Sequence, residues 1–445
     1  MASASRFPSP TNWREWNDYV AAGLNGDHRE MMPILFVGVL FGRGRRTVSS
    51  WLRAAGVRRD YEDYYYLLSS LGRKTSKLAT RVCELLLAHL DLPDCLQLVI
   101  DDTPTKRYGP LVEGADIHHN PTSGPTDQKF LYGHIWVTIS LTLRHPRWGA
   151  LALPLRALLY VRRQTMLTIP PQRGWRFRTK LELAANLIDW ISPLLKKAGK
   201  SFRVVIDGGY AKEPFLRPVM ASAAAVIGRL RRDAALFSPP PTRKPGTRGR
   251  PRKYGKERID LRRRAARRSG WETVLCTIYG REVEKTVMSF LATWRPAGGL
   301  IRVVLIQEEG GWLPLFCTDA NLNVKEIIES FADRATIEQN FHDLKEVWGA
   351  SQQQVRNIWS NVAAFNVNLW THTLVEHWAW GRSQRELSDR RDSPWDDSSR
   401  RPSHADRRKA LQRLLLRERF SALRQTCELP RKIKQLAETL IAMVA

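Results

Sequence analysis

Leu96-Gln97-Leu98-Val99-Ile100 followed by Asp101-Asp102-Thr103, and Phe202-Arg203-Val204-Val205-Ile206 followed by Asp207-Gly208-Gly209-Tyr210, decide the reading of this chain. Each is a short apolar run that reads as a buried strand, and each stops on an acid. In open α/β sheets functional groups gather where the strands end. An Asp in that place is also a common turn former or helix cap, so neither acid identifies a site alone. Asp101 and Asp102 are adjacent, and adjacent residues on a strand point to opposite faces. Asp101 directly follows the apolar run and is the preferred first acid, with Asp102 as its alternative.

Outward from these two runs, His134 to Leu143 and Gly149 to Val161 are strand-like and joined by the hairpin-sized His145-Pro146-Arg147-Trp148. Lys180 to Lys197 has helical periodicity, a second helical segment spans Glu213 to Ala221, and Ala224 to Leu230 reads as a fifth strand. The expected order is three strands, helix, strand, helix, strand: an α/β fold. Four more strands, 271–278, 283–293, 300–307 and 312–317, make a β-rich insertion. Between them and the core lies a Pro- and Gly-containing segment in which thirteen Lys or Arg within residues 243–268 face only Glu257 and Asp260, expected to be flexible.

A third acid stands on a helix expected from Val324 to Val347. There Phe331, Arg334, Glu338 and Lys345 lie at 0, 3, 7 and 14 residues, which at about 100° per residue places them within roughly 60° of one another. The adjoining Ile327, Ile328, Phe341 and Leu344 would pack inward. Alone, this pattern reads first as a solvated charged stripe with local ion pairs. A long apolar and aromatic helix follows from Val355 to Trp378, then a polar segment, 381–404, expected to be a mobile loop. The tail, 405–445, reads as two helices split by Pro430. His118 and His119 beside Asp116 lack a second ligand cluster with regular metal spacing and, with Asn120, read as lining for a cleft.

Lys and Arg outnumber Asp and Glu by 71 to 44, a formal charge of +27, which favours a polyanionic partner because each neutralised phosphate releases counterions. The basic residues are spread along the chain rather than along one amphipathic helix, which argues against a membrane surface. Cys83, Cys95, Cys276, Cys317 and Cys427 stand singly and read as reduced core residues. The longest apolar stretch, Met31 to Phe41, is too short to span a bilayer, so the expected location is the cytoplasm, on the nucleoid. Near the N-terminus an apolar helix ends at Gly42-Arg43-Gly44, and a second opens at a Thr47 cap and runs to Ala55. That pair resembles a helix-turn-helix whose second helix would offer Arg45, Arg46, Ser49, Ser50 and Arg53 to DNA; an ordinary helical hairpin is the plainer alternative. Arg248-Gly249-Arg250-Pro251-Arg252-Lys253 resembles an AT-hook, which places Arg248, Arg250 and Arg252 among the expected phosphate contacts.

Together, Phe331-x2-Arg334-x3-Glu338-x6-Lys345 resembles the Tyr-Arg-Glu-Lys signature of the insertion-sequence-four superfamily of bacterial transposases, with Phe in place of Tyr. Asp101-Asp102-Thr103 is similar to that family's Asp-x-Thr, and Asp207-Gly208-Gly209-Tyr210 to its Asp-x-Gly with a nearby aromatic. The resemblance implies a ribonuclease H-like core in which Asp101, Asp207 and Glu338 hold two Mg²⁺ or Mn²⁺ ions and serve as the catalytic acids. It implies that Arg334 and Lys345 contact DNA near the cut, that the partners are terminal-repeat and target duplexes, and that a homodimer forms on DNA. The Phe at 331 removes a hydroxyl that could bond a phosphate oxygen. The expected organisation is a helical DNA-binding region over 1–92, the first part of the core over 93–235, basic linker and β-rich insertion over 236–320, the rest of the core over 321–380, and loop and helical tail over 381–445. A nuclease that cuts without joining and an inactive DNA-binding relative remain the alternative readings.

Overall fold

The computed structural model describes residues 12–119, 129–242, 249–250, 252–388, 395–397, 399–426 and 430–444. Five helices come first: α1 (Trp13–Ala21), α2 (Asp27–Phe41), α3 (Val48–Ala54), α4 (Tyr61–Gly72) and α5 (Thr75–His89). Strands β1 (Cys95–Lys106), β2 (Asp116–His119), β3 (Phe130–His145) and β4 (Gly149–Tyr160) follow, then α6 (Lys180–Lys197), β5 (Ser201–Ile206), α7 (Glu213–Val219) and β6 (Ala225–Arg229). Next come β7 (Leu236–Phe237), β8 (Arg258–Ile259), α8 (Leu261–Ala265), β9 (Glu272–Ile278), β10 (Arg281–Trp294), β11 (Gly299–Glu308) and β12 (Gly311–Cys317). The last helices are α9 (Val324–Asp333), α10 (Thr336–Glu346), α11 (Ile358–Ala379), α12 (Gln384–Leu387), α13 (His404–Thr426) and α14 (Arg431–Val444).

Two compact units emerge, one of Asp91–Pro104 and Gly114–Asn340, the other of Met1–Leu90, Thr105–Glu113 and Phe341–Ala445. They cut across the five expected segments. The first holds the sheet, ordered β2-β3-β1-β5-β6-β12-β11-β10-β7-β8, with β4 paired to β3 and β9 to β10. β1, β5 and β6 are parallel neighbours. Their facing residues, Leu98, Val99 and Ile100 on β1, Val204, Val205 and Ile206 on β5, and Val226 and Ile227 on β6, are all fully buried, the continuous apolar pattern of strands covered on both sides. β3 and β4 form the expected hairpin, whose register shifts at Ile139/Ser140, beside Pro154; a proline is tolerated in a sheet at such an irregularity.

Several expectations change. β1 runs on to Lys106 instead of ending at Asp101, although its ladder with β5 stops at Ile100. The four strands of the insertion do not form a sheet of their own, because β12 pairs antiparallel with β6 and extends the central sheet. Part of the basic segment is ordered: β8 pairs with β7, and Asp260 caps α8 by accepting from the Arg262 and Arg263 amides. Residues 243–248 and 251 of that segment lie outside the described residues. The helix expected from Val324 to Val347 is two, because around Arg334 the amides of Arg334, Ala335, Ile337 and Glu338 each bond three residues back rather than four, tightening the turn. Ile327, Ile328, Phe341 and Leu344 are buried as expected. The expected loop 381–404 contains the capped helix α12, and Arg400 pairs with Asp396 and Asp406; residues 389–394 and 398 lie outside the described residues.

In the helical unit, α11 is buried on every side, the position of a helix apolar all round. Two of its polar side chains bond back to the helix's own backbone: Asn366 donates to the Val362 carbonyl and Thr371 to that of Val367. α2 and α3 meet the sequence expectation, with Thr47 accepting from the Ser50 amide. They cross so closely that a Cβ on Gly38 would lie 2.4 Å from the Trp51 carbonyl oxygen. The four described cysteines are free thiols, and no described helix is long and apolar enough to cross a membrane.

Candidate active site

The parallel ladder pairs Ile100 with Ile206 as its last partners. Asp101 follows Ile100 within β1 and Asp207 follows Ile206 just past β5, so the register brings the two acids to the same end of their shared ladder. The Asp207 carboxylate accepts from the Gly209 amide (3.2 Å), and Asp101 accepts from the Asp102 amide (2.8 Å). Burial pushes the Asp101 carboxyl up to about 6; Arg334 and the Asp102 amide oppose this, while the charges of Asp102 and Asp207 add to it.

Arg334 sits at the break between α9 and α10, its guanidinium 5.6 Å from the Phe331 ring centre. Nη1 donates to Asp101 Oδ2 (2.6 Å) and Nη2 to Glu338 Oε1 (3.2 Å). The tightened turn thus keeps one cation on two of the three expected acids. The Arg334 and Asp101 side chains are only 15% and 18% exposed, whereas that of Glu338 is 63% exposed. α9 is held against the sheet by Arg144, which pairs with both Glu329 and Asp333.

Asp102 engages different partners. Its Oδ2 lies 2.6 Å from Lys180 Nζ, and its Oδ1 accepts from the Tyr210 hydroxyl at 2.8 Å. Burial, with the negative charge of Asp102 next, raises the Tyr210 phenol well above its ordinary value, so it serves as a donor. The alternation of a strand therefore divides the two neighbours: Asp101 meets Arg334, and Asp102 meets Lys180 and Tyr210. Sequence reading missed Lys180 and Tyr210 as partners of Asp102; the aromatic of Asp207-Gly208-Gly209-Tyr210 was the available signal.

The other expected site residues are placed as follows. Lys345 is half-buried in the last turn of α10, its ammonium pushed down by burial. Arg53, Arg45 and Ser49 are exposed on or beside α3, Arg46 is half-buried with its amide bonded to Gln352, and Ser50 is buried and donates to the Arg45 carbonyl. Ser50 is thus committed to its own turn. Arg250 and Arg252 are exposed, and Arg248 and Asn120 lie outside the described residues. His118 is buried and its ring pushed down to about 4, chiefly by burial.

Asp101, Asp207 and Glu338 offer only carboxylate oxygens, the donor set of hard divalent cations, and like charge already acts on Asp101. The chemistry fits such ions. His372, Glu376 and His404 also lie within ligand distance of one another, but their geometry does not suit an ion. The His372 and His404 rings are stacked 3.8 Å apart, so their in-plane lone pairs do not converge. His404 accepts from the Trp348 indole, and Glu376 is bonded by Arg407.

The family model described as DDE superfamily endonuclease matches residues 20–286. That is more than half of the chain, and the chain belongs to this family. The matched region contains Asp101 and Asp207 and ends before α10, which carries Glu338. No curated protein matches. Among solved structures, the chain is similar to a piggyBac transposase in a synaptic complex with hairpin DNA, at 10% identity, covering 97% of this chain and 81% of that one with a TM-score of 0.36.

Proposed function

We propose that this chain is a transposase that cleaves DNA at the ends of a mobile element and joins the 3′-hydroxyl ends to target DNA. The observation that carries the reading is that Asp101 and Asp207 each directly follow the last paired residues of one parallel ladder, with Glu338 tied to Asp101 through Arg334. The strand order β4-β3-β1-β5-β6, with β1, β5 and β6 parallel, supports a ribonuclease H-like core. The spacing of Arg334, Glu338 and Lys345 supports a place near the insertion-sequence-four superfamily.

On this reading Asp101, Asp207 and Glu338 hold two Mg²⁺ or Mn²⁺ ions. Bound there, such ions supply Lewis-acid stabilisation of the pentavalent phosphorus and ease deprotonation of the attacking water or 3′-hydroxyl. The protein's own residues supply position. Asp101 and Asp207 are fixed by the backbone, and Glu338 approaches from α10. Arg334 neutralises two carboxylates and is the cation best placed to meet a phosphate. Lys180 and Tyr210 hold Asp102 aside. Arg46, Arg53, Arg250, Arg252 and Lys345 supply further phosphate contacts, and two chains assemble on paired ends, one active site for each.

The test is cleavage of a labelled duplex carrying the element's ends, with Mg²⁺, with EDTA and with Glu338→Ala. Cuts at the end that vanish with EDTA and in the variant support the three-carboxylate reading, and strand transfer to a second duplex supports joining. Cutting without transfer would leave a nuclease, and binding without cutting an inactive relative.

A further inference from the structure

The connection from β4 to α6, residues 161–179, is a cation-rich stretch of the sheet unit that leads directly into Lys180, the partner of Asp102. It carries Arg162, Arg163, Arg173, Arg176 and Arg178, interleaved with Trp175 and Phe177, and meets no acid before Glu182. Two short 3₁₀ turns, Gln164–Thr168 and Pro171–Arg173, shape it.

Both ends of this loop are pinned. Near its start, Asp116 accepts from the Thr165 hydroxyl (2.5 Å) and the Gln164 amide (3.3 Å), with Arg162 3.9 Å away. Where it ends, Thr179 and Glu182 form a capping box, and Lys180 reaches Asp102, the neighbour of Asp101. Arg163 lies over the Phe177 ring at 5.1 Å, tying the two arms together. Pinning leaves Arg163, Arg176 and Arg178 exposed. It also presents Leu167, 93% exposed, more than any other large hydrophobic side chain among the described residues.

A bare leucine at the tip of an anchored loop, flanked by guanidinium groups, has the chemistry of a side chain that enters a base step while its neighbours hold the backbone. Apolar wedges partly unstack a duplex, and Arg with aromatic residues suits strands whose bases have been separated. We infer that the 161–179 loop is a DNA-holding element, in which Arg163, Arg176 and Arg178 bind phosphates and Leu167 inserts between bases beside the cleavage site. The inference rests on the transposase reading and adds a contact that reading does not require.

The test uses the full chain and a fluorescein-labelled duplex carrying the element's end, with 2-aminopurine stepped along one strand as a reporter of unstacking. Arg163→Ala, Arg176→Ala and Arg178→Ala together should lower the slope of log affinity against log salt by about 2.7, roughly 0.9 per lost phosphate contact. Leu167→Ser, which removes no charge, should abolish the rise in 2-aminopurine fluorescence. Circular dichroism melts matching the wild type confirm that these exposed changes leave the fold intact. A triple variant with the wild-type slope, or a fluorescence rise that persists in Leu167→Ser, overturns the inference while wild-type cleavage leaves the transposase reading standing. Wild-type protein that neither binds nor cuts the duplex removes both.

Discussion

Arg334 Nη1 lies 2.6 Å from Asp101 Oδ2 while its Nη2 lies 3.2 Å from Glu338 Oε1, so one guanidinium spans two acids of the candidate site. A divalent cation entering between these carboxylates competes with that guanidinium. Arg334→Ala should therefore bind Mn²⁺ about tenfold more tightly, the order expected when a charged hydrogen bond no longer has to be broken, while holding DNA more weakly. Mn²⁺ titration followed by electron paramagnetic resonance reads the first effect. Weaker Mn²⁺ binding would instead make Arg334 a residue that holds the acids in position.

Asp101→Asn, Asp207→Asn and Glu338→Gln should each lower metal-dependent cleavage by on the order of 10³, the loss of several kcal/mol of transition-state stabilisation, with duplex affinity retained. Asp102→Asn should be milder, because its carboxylate is engaged by Lys180 and Tyr210. Gel-based cleavage beside fluorescence anisotropy separates the two effects. Persistent cutting by Asp101→Asn with loss in Asp102→Asn would exchange the two assignments.

Gly38→Ala should destabilise the chain by roughly 2 kcal/mol or more, since the added Cβ would meet the Trp51 carbonyl at 2.4 Å and the helices must part to admit it. Urea unfolding of the variant measures this. A wild-type midpoint would mean that α2 and α3 separate at no cost.

The helical unit should be acid-labile. His377 stacks on Trp16 and lies 3.0 Å from His89, and burial, with the His89 charge second, pushes its ring down to about 3. The unfolded ring gains its proton below about 6.5 while the folded ring does not, so stability rises with pH across that window and is lost as pH falls. From this one ring the loss at pH 5 is about 2 kcal/mol. Burial pushes the Glu376 carboxyl up, but Arg407 and His404 outweigh it and hold it well below its usual range; that contribution too is present at neutral pH and fades with acid. Urea midpoints at pH 7 and pH 5 should differ accordingly, with a shallower dependence in His377→Gln. Equal midpoints would contradict the buried, neutral ring.

Much of this was readable from the chain alone, for identifiable reasons. α6 occupies the expected Lys180 to Lys197 because its helical period is a local signal. The buried runs up to Ile100 and Ile206 were visible as apolar stretches, although β1 runs on beyond the first of them. The break at Arg334 was not, because residues 324–347 carry one helical period throughout and the tightened turn accompanies a pairing with Asp101, 233 residues earlier. Nor was the joining of β12 to β6, since alternation reports which face of a strand is buried and not which strand lies beside it. α4, with its run of tyrosines, and the four-residue β2 were missed because neither has a strong periodic signature.

The register of β1 against β5 has one more meaning. Asp101 and Asp207 directly follow Ile100 and Ile206, a pair held at the natural spacing of neighbouring strands, about 4.8 Å, so the backbone sets where the two acids start. The hydrogen-bonded sheet acts as a ruler for the two acids, and loops around it can lengthen, shorten or change sequence without altering that measure. On the proposed reading, surroundings that choose which DNA is grasped are thereby free to diverge, while the placing of the two acids is copied from the peptide backbone itself.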